Sequence, residues 1–455
     1  MARVPDSVQR ILDKFRIPTY KLQEIRDAMV REFTLGLSIG SPPSSVAMLP
    51  TYIPALPDGT EQGRYLSLDL SGSNLRVMLL DLSGRNAPAK MTSQNYIVRH
   101  DVMVGTGEHL FNFIAGKLAR FLKENNLTDC ELPLGFVFSY PVEMKGIASA
   151  HLLWWTKGFN VPDCLNQDVG RLLREALQRH EVRNVKVKAI MNDTVGQLSA
   201  ASYLYGPDCR IGVVIGYGCN AAYLEDVTSI KKFHPEKTGY KFPTMIIDTE
   251  WEEFGAHGEL DSVRTEFDVE IDEKSVHKGK QMVDKLTGAF FLGEVVRRIL
   301  DQLAVDNVVF GGTRPELLAT EDTFPSKYIS EILSEEGSRP PFKSIRRIME
   351  ELQIPVHSTT DYAIMREICH TISLRSASIV AAAIAALMKV LNQPKIFVGV
   401  GGSLIQYHPT YHDMLKEQLT ELLPPVVVEW DLVPAEDGSG KGAALIAAIA
   451  ERLQL

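Results

Sequence analysis

Three short segments of this sequence combine glycine with hydroxyl, amide or lysine side chains; the first two follow an apolar run, and the third leads into one. They are SGSN (71–74) within LDLSGSNLRV, GYGCN (216–220) and GSGKG (438–442). Glycine lets the backbone approach a ligand closely, and successive N–H groups in such turns bind anions. A single segment of this kind is as easily an ordinary hairpin turn. Two of them in strand–turn–strand settings, about 145 residues apart, predict two loops that face one phosphate chain.

The third segment resembles a P-loop only in part. Lys441 is followed by Gly442 instead of Ser or Thr, so the G-x-x-x-x-G-K-[ST] pattern is absent. The simpler interpretation is the N-terminus of a helix that packs near a nucleotide.

MNDTVG places Asn192 and Asp193 at the end of a predicted strand. A carboxylate there is either a helix or turn cap or a base that accepts a proton from a substrate hydroxyl. Spacing alone favours the cap. The segments SYP, WWTKGF (154–159), TEW (249–251) and LGE (292–294), however, supply Ser, Thr, Lys and Glu beside aromatic residues. A sugar pocket requires this mixture, because each desolvated hydroxyl needs a fixed partner.

Composition limits the classes of protein that this chain can belong to. It has 455 residues, of which 45% are hydrophobic and 23% charged, as in a soluble globular protein of two or three domains. The net charge of −9 argues against a nucleic-acid partner. Five scattered cysteines without a C-x-x-C pair indicate a reducing compartment and neither a disulfide framework nor a structural zinc site. No apolar run of membrane-spanning length is evident, so we predict a cytoplasmic protein with no membrane partner.

The order of predicted elements indicates two lobes. Residues 6–37 have helical periodicity and are followed by a linker rich in Pro, Gly and Ser. The segment 210–226 repeats the strand–turn–strand plan that surrounds SGSN, and 395–407 again places a strand against paired glycines. Strands and helices alternate on both sides of a central break, which is typical of a two-lobed α/β protein.

Nearly the whole chain resembles the eukaryotic hexokinase family. The segments that carry the resemblance, in the family's order, are MLPTYIPALPDGTEQGRYLSLDLSGSNLRV, LPLGFVFSYP, WWTKGFNVPD, MNDTVGQL, GYGCNAAYLED, DTEWEEFG, RTEFDVEID, LGEVVRRIL, YHPTYHDML and EDGSGKGAALIAA. The resemblance implies an α/β, two-lobed, actin-like (ribonuclease H-like) fold in which each lobe is a mixed β-sheet flanked by helices. It places a small domain at 56–192 and 443–455 and a large domain at 1–55 and 193–442. A cleft between the lobes would close over sugar and MgATP.

The resemblance also assigns roles to individual residues. Asp193 is the expected catalytic base, which takes the proton of the sugar 6-hydroxyl. The expected sugar-binding residues are Ser139, Thr156, Lys157, Asn192, Asn220, Glu250 and Glu294. The expected ATP-binding residues are Asp69, Gly72, Ser73, Asn74, Arg76, Gly216, Tyr217, Gly218, Gly402, Ser403, Gly438, Ser439 and Lys441. Mg²⁺ would be held mainly by the ATP phosphates, so no protein ligand to a metal is predicted.

Several positions depart from the family pattern. Ser71 replaces a glycine of the first loop and would cost on the order of 1 kcal/mol if its backbone needed a glycine conformation. Tyr217 replaces the threonine of the second loop and is the change expected to weaken ATP binding most. Gly401 stands in place of an aspartate. Glu252 and Glu253 add two carboxylates beside a sugar contact, where they either reshape specificity or point into solvent.

Two functions therefore remain open at the level of sequence. The first is an ATP-dependent kinase that phosphorylates the 6-hydroxyl of a hexose or amino-hexose, including N-acetylglucosamine, which some fungal members of the family use. The second is a sugar-binding regulatory protein with weakened phosphate loops. We expect a divergent member of the family, with a fungal origin as one candidate. We also expect the protein to be a monomer or a homodimer. The histidines, among them His257, show no ligand spacing and are assigned structural or surface roles.

Overall fold

The structure is a computed structural model that describes residues 4–40, 43–85, 89–156, 158–335, 342–423 and 429–455. Its strands are β1 (Leu49–Pro50), β2 (Gln62–Ser71), β3 (Asn74–Ser83), β4 (Lys90–Ile97), β5 (Leu132–Phe138), β6 (Val142–Gly146), β7 (Ser149–Leu152), β8 (Val185–Met191), β9 (Cys209–Ile215), β10 (Cys219–Asp226), β11 (Thr244–Asp248), β12 (Lys395–Gly401) and β13 (Glu429–Pro434).

The α-helices account for most of the remaining described chain. They are α1 (Asp6–Leu12), α2 (Thr19–Gly36), α3 (His100–Met103), α4 (Gly107–Glu124), α5 (Val169–Arg179), α6 (Asp193–Tyr205), α7 (Pro235–Thr238), α8 (Glu266–Lys274), α9 (Met282–Thr287), α10 (Ala289–Val305), α11 (Glu316–Ala319), α12 (Lys327–Ser334), α13 (Lys343–Glu351), α14 (Thr359–Leu391), α15 (Ser403–Tyr407), α16 (Tyr411–Leu422) and α17 (Gly438–Arg452). Single turns of 3-10 helix lie at Asp13–Phe15, Pro162–Cys164, Val227–Ser229, Trp251–Glu253, Asp261–Val263 and Phe310–Gly312.

Two mixed sheets share one plan. The five-stranded sheet has the order β4-β3-β2-β5-β8, and the six-stranded sheet has the order β1-β11-β10-β9-β12-β13. In each sheet an antiparallel hairpin, β2–β3 or β9–β10, is followed by two strands parallel to its first strand. The repeat that the sequence indicated at 210–226 is therefore one half of a structural duplication, and the predicted two-lobed α/β architecture is confirmed.

The central strand of the smaller sheet shows why these segments form parallel strands. Every residue of β5 is buried, and it lies between β2 and β8, parallel to both. A continuous apolar run is typical of a strand that is covered on both faces. The strand ends at Phe138, because the chain turns at Ser139 and enters β6 at Val142.

The two sheets are joined by a close crossing of α6 and α17. A Cβ atom on Gly442 would lie 1.9 Å from the carbonyl oxygen of Gly196, and one on Gly196 would lie 2.5 Å from that of Ser439. Only glycine allows the two helix backbones to approach so closely. Because α17 also packs on β2 and β5, this crossing fixes the start of α6 relative to the smaller sheet. The domain bounds at 56–192 with 443–455, and 1–55 with 193–442, stay a prediction.

The longest helix of the described chain, α14, was not predicted from the sequence. Its 33 residues contain an 18-residue window with a mean hydropathy of 1.8, which is apolar enough to cross a membrane, but 78% of that window is buried inside the protein. Its buried face packs against α2, α9, α10 and α16. The apolar run therefore serves as the core of the helical layer beside the larger sheet.

Candidate active site

The predicted site residues follow the carboxyl ends of parallel strands in both sheets. Ser139 follows β5, Asn192 follows β8, Gly216 follows β9 and Gly402 follows β12. In open α/β sheets, ligands bind outside these ends, where loops and helix N-termini converge. The duplicated plan gives each sheet one such edge, and the hairpin turn of each sheet is one of the two predicted phosphate loops.

Asn192 and Asp193 take different roles at the start of α6. Asn192 is the N-cap, because its side-chain oxygen accepts a hydrogen bond from the N–H of Thr194 at 3.1 Å. Its side-chain nitrogen donates to Oε1 of Glu250 at 3.3 Å. Asp193 is the first residue of the helix and makes no N-cap hydrogen bond. The cap interpretation of this segment therefore belongs to Asn192, and the carboxylate of Asp193 is available for chemistry.

A buried polar network surrounds Asp193. Asp248, the last residue of β11, accepts hydrogen bonds from the side chains of Asn220 at 2.9 Å and Thr194 at 3.3 Å. The side-chain oxygen of Asn220 accepts from the hydroxyl of Thr249 at 3.0 Å. Glu250 joins this network through Asn192. The sequence-predicted residues Asn192, Asn220 and Glu250 are thus brought together.

Burial makes the carboxyl groups of this network hard to ionise. Desolvation, followed by repulsion from Glu250, raises the pKa of Asp248 well above its ordinary value. Desolvation, followed by repulsion from Glu252, does the same to the pKa of Glu250, and the charge of Asp193 adds to both shifts. Burial thus favours the protonated form of both groups, and a protonated carboxyl both donates and accepts hydrogen bonds, as sugar hydroxyls require.

Glu252 lies behind Glu250 and not in solvent. The residue is half-buried, its Oε2 atom is fully buried, and that atom has no hydrogen-bond partner in the described structure. Desolvation raises the pKa of Glu252 to about 8. Its neighbour Glu253 instead accepts a hydrogen bond from the backbone N–H of Gln281 at 3.3 Å. Of the two sequence alternatives for these residues, exposure to solvent does not describe Glu252, and an effect on sugar specificity stays a prediction.

Trp251 anchors this acidic segment in the core of the larger lobe. Its indole N–H donates to the carbonyl oxygen of Cys219 at 2.8 Å, and its ring stacks on Phe33 of α2 with ring centroids 6.5 Å apart. The side chain is fully buried. Glu250 adopts a left-handed conformation, with φ of 49°, so the chain turns between β11 and this anchor and directs the Glu250 side chain toward Asn192.

An aromatic cluster positions the predicted sugar-binding residues of the smaller lobe. Tyr140 and Trp155 pack edge to face with centroids 4.9 Å apart, and Trp155 stacks on Phe159 at 5.3 Å. Ser139 is buried next to Tyr140, and Thr156 is half-buried next to Trp155. The cluster therefore holds the two hydroxyl-bearing segments together. Lys157 lies outside the described residues.

Glu294 stands apart from the network around Glu250. Its two carboxylate oxygens accept hydrogen bonds from the guanidinium of Arg297, a fully buried side chain, and one of them also accepts from the N–H of Asp322 at 3.1 Å. In the described part of the chain no hydrogen bond links Glu294 to Asn192, Asn220 or Glu250. Its role in sugar binding stays a prediction.

The first predicted phosphate loop is a two-residue hairpin turn. Ser71 pairs with Asn74 across the turn, and Gly72 has φ of 54°, in the left-handed region. Ser71 is not among the residues with positive φ, so the cost considered from the sequence does not arise. Ser73 and Asn74 are exposed at the tip. The loop can therefore present its N–H groups to an anion.

The same hairpin is bound to the N-terminus of α17. The terminal nitrogens Nη1 and Nη2 of Arg76 donate to the two carboxylate oxygens of Asp437, at 2.9 and 3.3 Å. The hydroxyl of Ser439 donates to Asp69 at 2.8 Å. The hydrogen bond from Arg76 lowers the pKa of Asp437, so this pair is ionised at neutral pH. Arg76 therefore joins the first loop to the third glycine segment, and its role in ATP binding stays a prediction.

The second predicted loop is held by the N-terminus of α10. The carbonyl oxygen of Gly216 accepts from the N–H of Ala289 at 2.8 Å, and the carboxylate of Asp284 accepts from the N–H of Cys219 at 2.7 Å. Tyr217 is 56% exposed. Its ring stacks on Phe290 with centroids 4.4 Å apart. The ring therefore rests on α10 at the edge of the loop.

Gln197 connects the glycine segments that the sequence treated separately. A Cβ atom on Gly401 would lie 2.5 Å from its side-chain oxygen, and one on Gly438 would lie 1.9 Å from the same atom. Gly401 replaces the aspartate of the family pattern, and the side chain of Gln197 fills the space that a side chain at position 401 would need. Gly402 has φ of 97°, and a Cβ there would meet the Ile215 carbonyl oxygen at 2.4 Å. Lys441 is bonded to the carbonyl oxygen of Glu436 at 3.1 Å.

Three residues of this site were missed by sequence reasoning. Asp248 was signalled only by its position directly before TEW, and Thr194 only by its place after the predicted base. Gln197 carries no signal, because a buried glutamine within a helix forms no motif, and its neighbours come from segments more than 200 residues away. The site roles of the residues that were predicted stay predictions.

The chain has two mixed sheets, glycine loops at their carboxyl edges and an acidic, hydroxyl-rich network between them. These features define the class of two-lobed α/β folds to which sugar kinases belong. Two sequence models of one protein family, both described as Hexokinase, match residues 7–203 and 210–449. The chain belongs to the hexokinase family.

Individual relatives agree with this assignment. The chain is 41% identical over 451 residues to a hexokinase of Brugia malayi, which covers 99% of this chain and 78% of that protein. A solved structure of Schistosoma mansoni hexokinase complexed with glucose is 36% identical, covers 98% of both chains and superposes with a TM-score of 0.87. The predicted hexokinase fold is thus confirmed. These relatives come from a nematode and a trematode, and the fungal origin stays a prediction.

Some relatives are much longer than this chain. Hexokinase HKDC1 of Mus musculus is 38% identical over 454 residues, and the match covers 98% of this chain but 48% of that protein. The chain thus spans about half the length of such relatives.

Proposed function

We propose that this protein transfers the γ-phosphoryl group of ATP to the 6-hydroxyl of a hexose. The observation that carries the proposal is the position of Asp193. It directly follows the N-cap of α6, its carboxylate is not used as the cap, and its charge acts on Asp248 and Glu250 in the network of sugar-type partners. A base in this position accepts the proton of a hydroxyl that the neighbouring residues hold.

The residues present fit a nucleotide. Gly72 adopts a left-handed conformation at an exposed turn, with nothing within 4 Å of its Cβ position, and the Cβ position of Gly216 lies no closer than 3.7 Å to any neighbour. Both glycines therefore leave space beside the backbone, whereas Gly402 and Gly438 pack tightly against Ile215 and Gln197. When bound, ATP would supply the phosphoryl group, and Mg²⁺ would neutralise the charge of its phosphates. The chain's own loops would hold the phosphates through backbone N–H groups, and α6 would hold Asp193 in line with the acceptor oxygen.

The sugar partners set the substrate class. Asn192, Asn220 and Glu250 together offer amide and carboxyl groups to several hydroxyls at once, which suits an unmodified pyranose. The glucose complex of the Schistosoma relative supports a glucose-type hexose. The proposal also includes N-acetylglucosamine and other amino-hexoses as candidate substrates. It places the protein in the cytoplasm, as a monomer or homodimer without membrane or nucleic-acid partners.

A coupled assay for ADP release tests the proposal. With MgATP in excess, glucose, fructose, mannose, glucosamine and N-acetylglucosamine would be compared on the full chain, and turnover with at least one hexose is expected. A thermal-unfolding measurement with each sugar would run in parallel. If sugars raise Tm but none is phosphorylated, the regulatory alternative is correct and the kinase proposal is wrong.

Tyr217→Thr tests the largest departure in the phosphate loops. The substitution restores a small hydroxyl and removes the ring that stacks on Phe290. We expect the KM for ATP to fall about tenfold, since a hydrogen bond to a charged group contributes roughly 1.5–3 kcal/mol, while the KM for sugar stays within twofold.

The control for this substitution is Phe290→Leu, which removes the stacking partner and keeps Tyr217. An unchanged KM for ATP in Tyr217→Thr would show that the tyrosine does not weaken ATP binding.

A further inference from the structure

Three side chains with metal-binding atoms meet outside the active site. One carboxylate oxygen of Glu32, one ring nitrogen of His257 and one carboxylate oxygen of Glu259 all lie within 4.8 Å of one another. Glu32 belongs to α2, and the other two belong to the turn between the 3-10 helices at Trp251–Glu253 and Asp261–Val263. The sequence offered no signal for this group, because Glu32 is more than 220 residues away from the histidine.

The group is oriented before any ligand arrives. Oε2 of Glu32 accepts hydrogen bonds from the hydroxyl of Ser44 at 2.8 Å and from the N–H of Ser45 at 2.8 Å, which fixes the carboxylate. Oε2 of Glu259 accepts from the backbone N–H of His257 at 3.0 Å, and Oε1 lies 3.6 Å from Nδ1 of that histidine. Oε1 of Glu259 thus faces the imidazole, and Glu32 contributes a carboxylate oxygen within 4.8 Å of both partners.

Charge in this group is not balanced by the protein. Among the described residues no lysine or arginine forms an ion pair with Glu32 or Glu259, and the only partner of that kind is His257. Two carboxylates at this separation repel each other. A divalent cation would remove the repulsion.

We propose that Glu32, His257 and Glu259 form a binding site for a divalent transition metal, with zinc as the best fit. An imidazole with two carboxylates suits zinc or cobalt, whereas magnesium prefers oxygen ligands alone. Ligand atoms at about 2.0–2.2 Å from tetrahedral zinc stand about 3.3–3.5 Å apart, so the three atoms, which lie within 4.8 Å of one another, would have to approach by at most about 1.5 Å. The side chain of His257 is 54% exposed, which leaves room for water as the fourth ligand.

The position of the site suggests what the metal does. Phe33, next to Glu32, stacks on Trp251, which directly follows Glu250. A metal bound here joins α2 to the same segment a second time, on its solvent side. The site thus acts as a clamp for the segment that carries a predicted sugar contact, and it is separate from any Mg²⁺ that accompanies ATP.

Zinc binding to the full chain tests this proposal without reference to kinase activity. Isothermal titration and thermal unfolding would be measured with zinc chloride, in the absence of nucleotide and sugar. The wild type is expected to bind one zinc ion and to gain about 2 °C or more in Tm at saturating metal. His257→Ala and Glu259→Gln should each weaken zinc affinity at least tenfold and abolish the gain in Tm.

His234→Ala is the matched control. His234 is also exposed and lies 3.4 Å from a glutamate, Glu236, but no third ligand accompanies them in the described residues. This variant should bind zinc as the wild type does. Equal zinc affinity in wild type and His257→Ala, or no zinc binding by a folded wild type, would overturn the proposal.

Discussion

Asp193→Ala is expected to lower kcat for sugar phosphorylation by about 10²–10⁴-fold, the usual contribution of a positioned general base. The KM for sugar should change less than tenfold, because Asn192 is hydrogen-bonded to Glu250 and Asn220 to Asp248, and neither of these bonds involves Asp193. A loss in kcat with little change in KM indicates an interaction made only in the transition state. Steady-state kinetics with the sugar found to be phosphorylated would measure both quantities.

Two further variants make this result specific. Asp193→Asn keeps the shape of the side chain and should lose nearly as much kcat, because an amide cannot accept the proton. Asp226→Ala removes an exposed carboxylate at the far end of β10 and should leave kcat unchanged. If Asp193→Ala keeps more than a tenth of the wild-type kcat, another group accepts the proton and our assignment of the base is wrong.

The part of the site that could be predicted from the sequence consists of short motifs. LDLSGSNLRV and RIGVVIGYGCNAAYLED each contain two strands and their turn within one stretch, so hairpin geometry places Gly72 and Gly216 without knowledge of the rest of the fold. MNDTVG similarly contains a strand end, the N-cap Asn192 and the first residue of α6. In these segments the local pattern determines the position of the functional side chain.

The parts that could not be predicted depend on contacts between distant segments. Gln197 fills the space beside Gly401 and Gly438, and only the packing of α6 against two later segments gives it that place. The apolar run of α14 was overlooked because its period is masked by burial on nearly all sides. Likewise, the sequence could not decide whether Glu252 faces solvent, since the alternative depends on where Trp251 is anchored.

The free energy of unfolding of this protein is expected to fall with rising pH because of Glu252, and Glu252→Gln should remove that part of the pH dependence. The pKa of this carboxyl is raised to about 8 in the folded protein, against a value of 4.5 when it is unperturbed. Between these two values the folded state keeps the proton and the unfolded state releases it. The free energy of unfolding therefore falls as pH rises, by up to about 1.4 kcal/mol per pH unit from this group. Below pH 4.5 and above pH 8 its contribution no longer changes.

Glu252→Gln resembles the protonated form at every pH, so it should match the wild type near pH 5 and exceed it in stability by roughly 2–4 kcal/mol at pH 8. Denaturant unfolding at pH 5, 6, 7 and 8 would measure the difference, and groups that do not interact with Glu252 cancel between the two proteins. Glu253→Gln, in the same turn, should give a curve parallel to that of the wild type. If the wild type and Glu252→Gln also run parallel, Glu252 is hydrated and ionised, and the carboxyl groups around Glu250 carry more charge toward the sugar than the structure indicates.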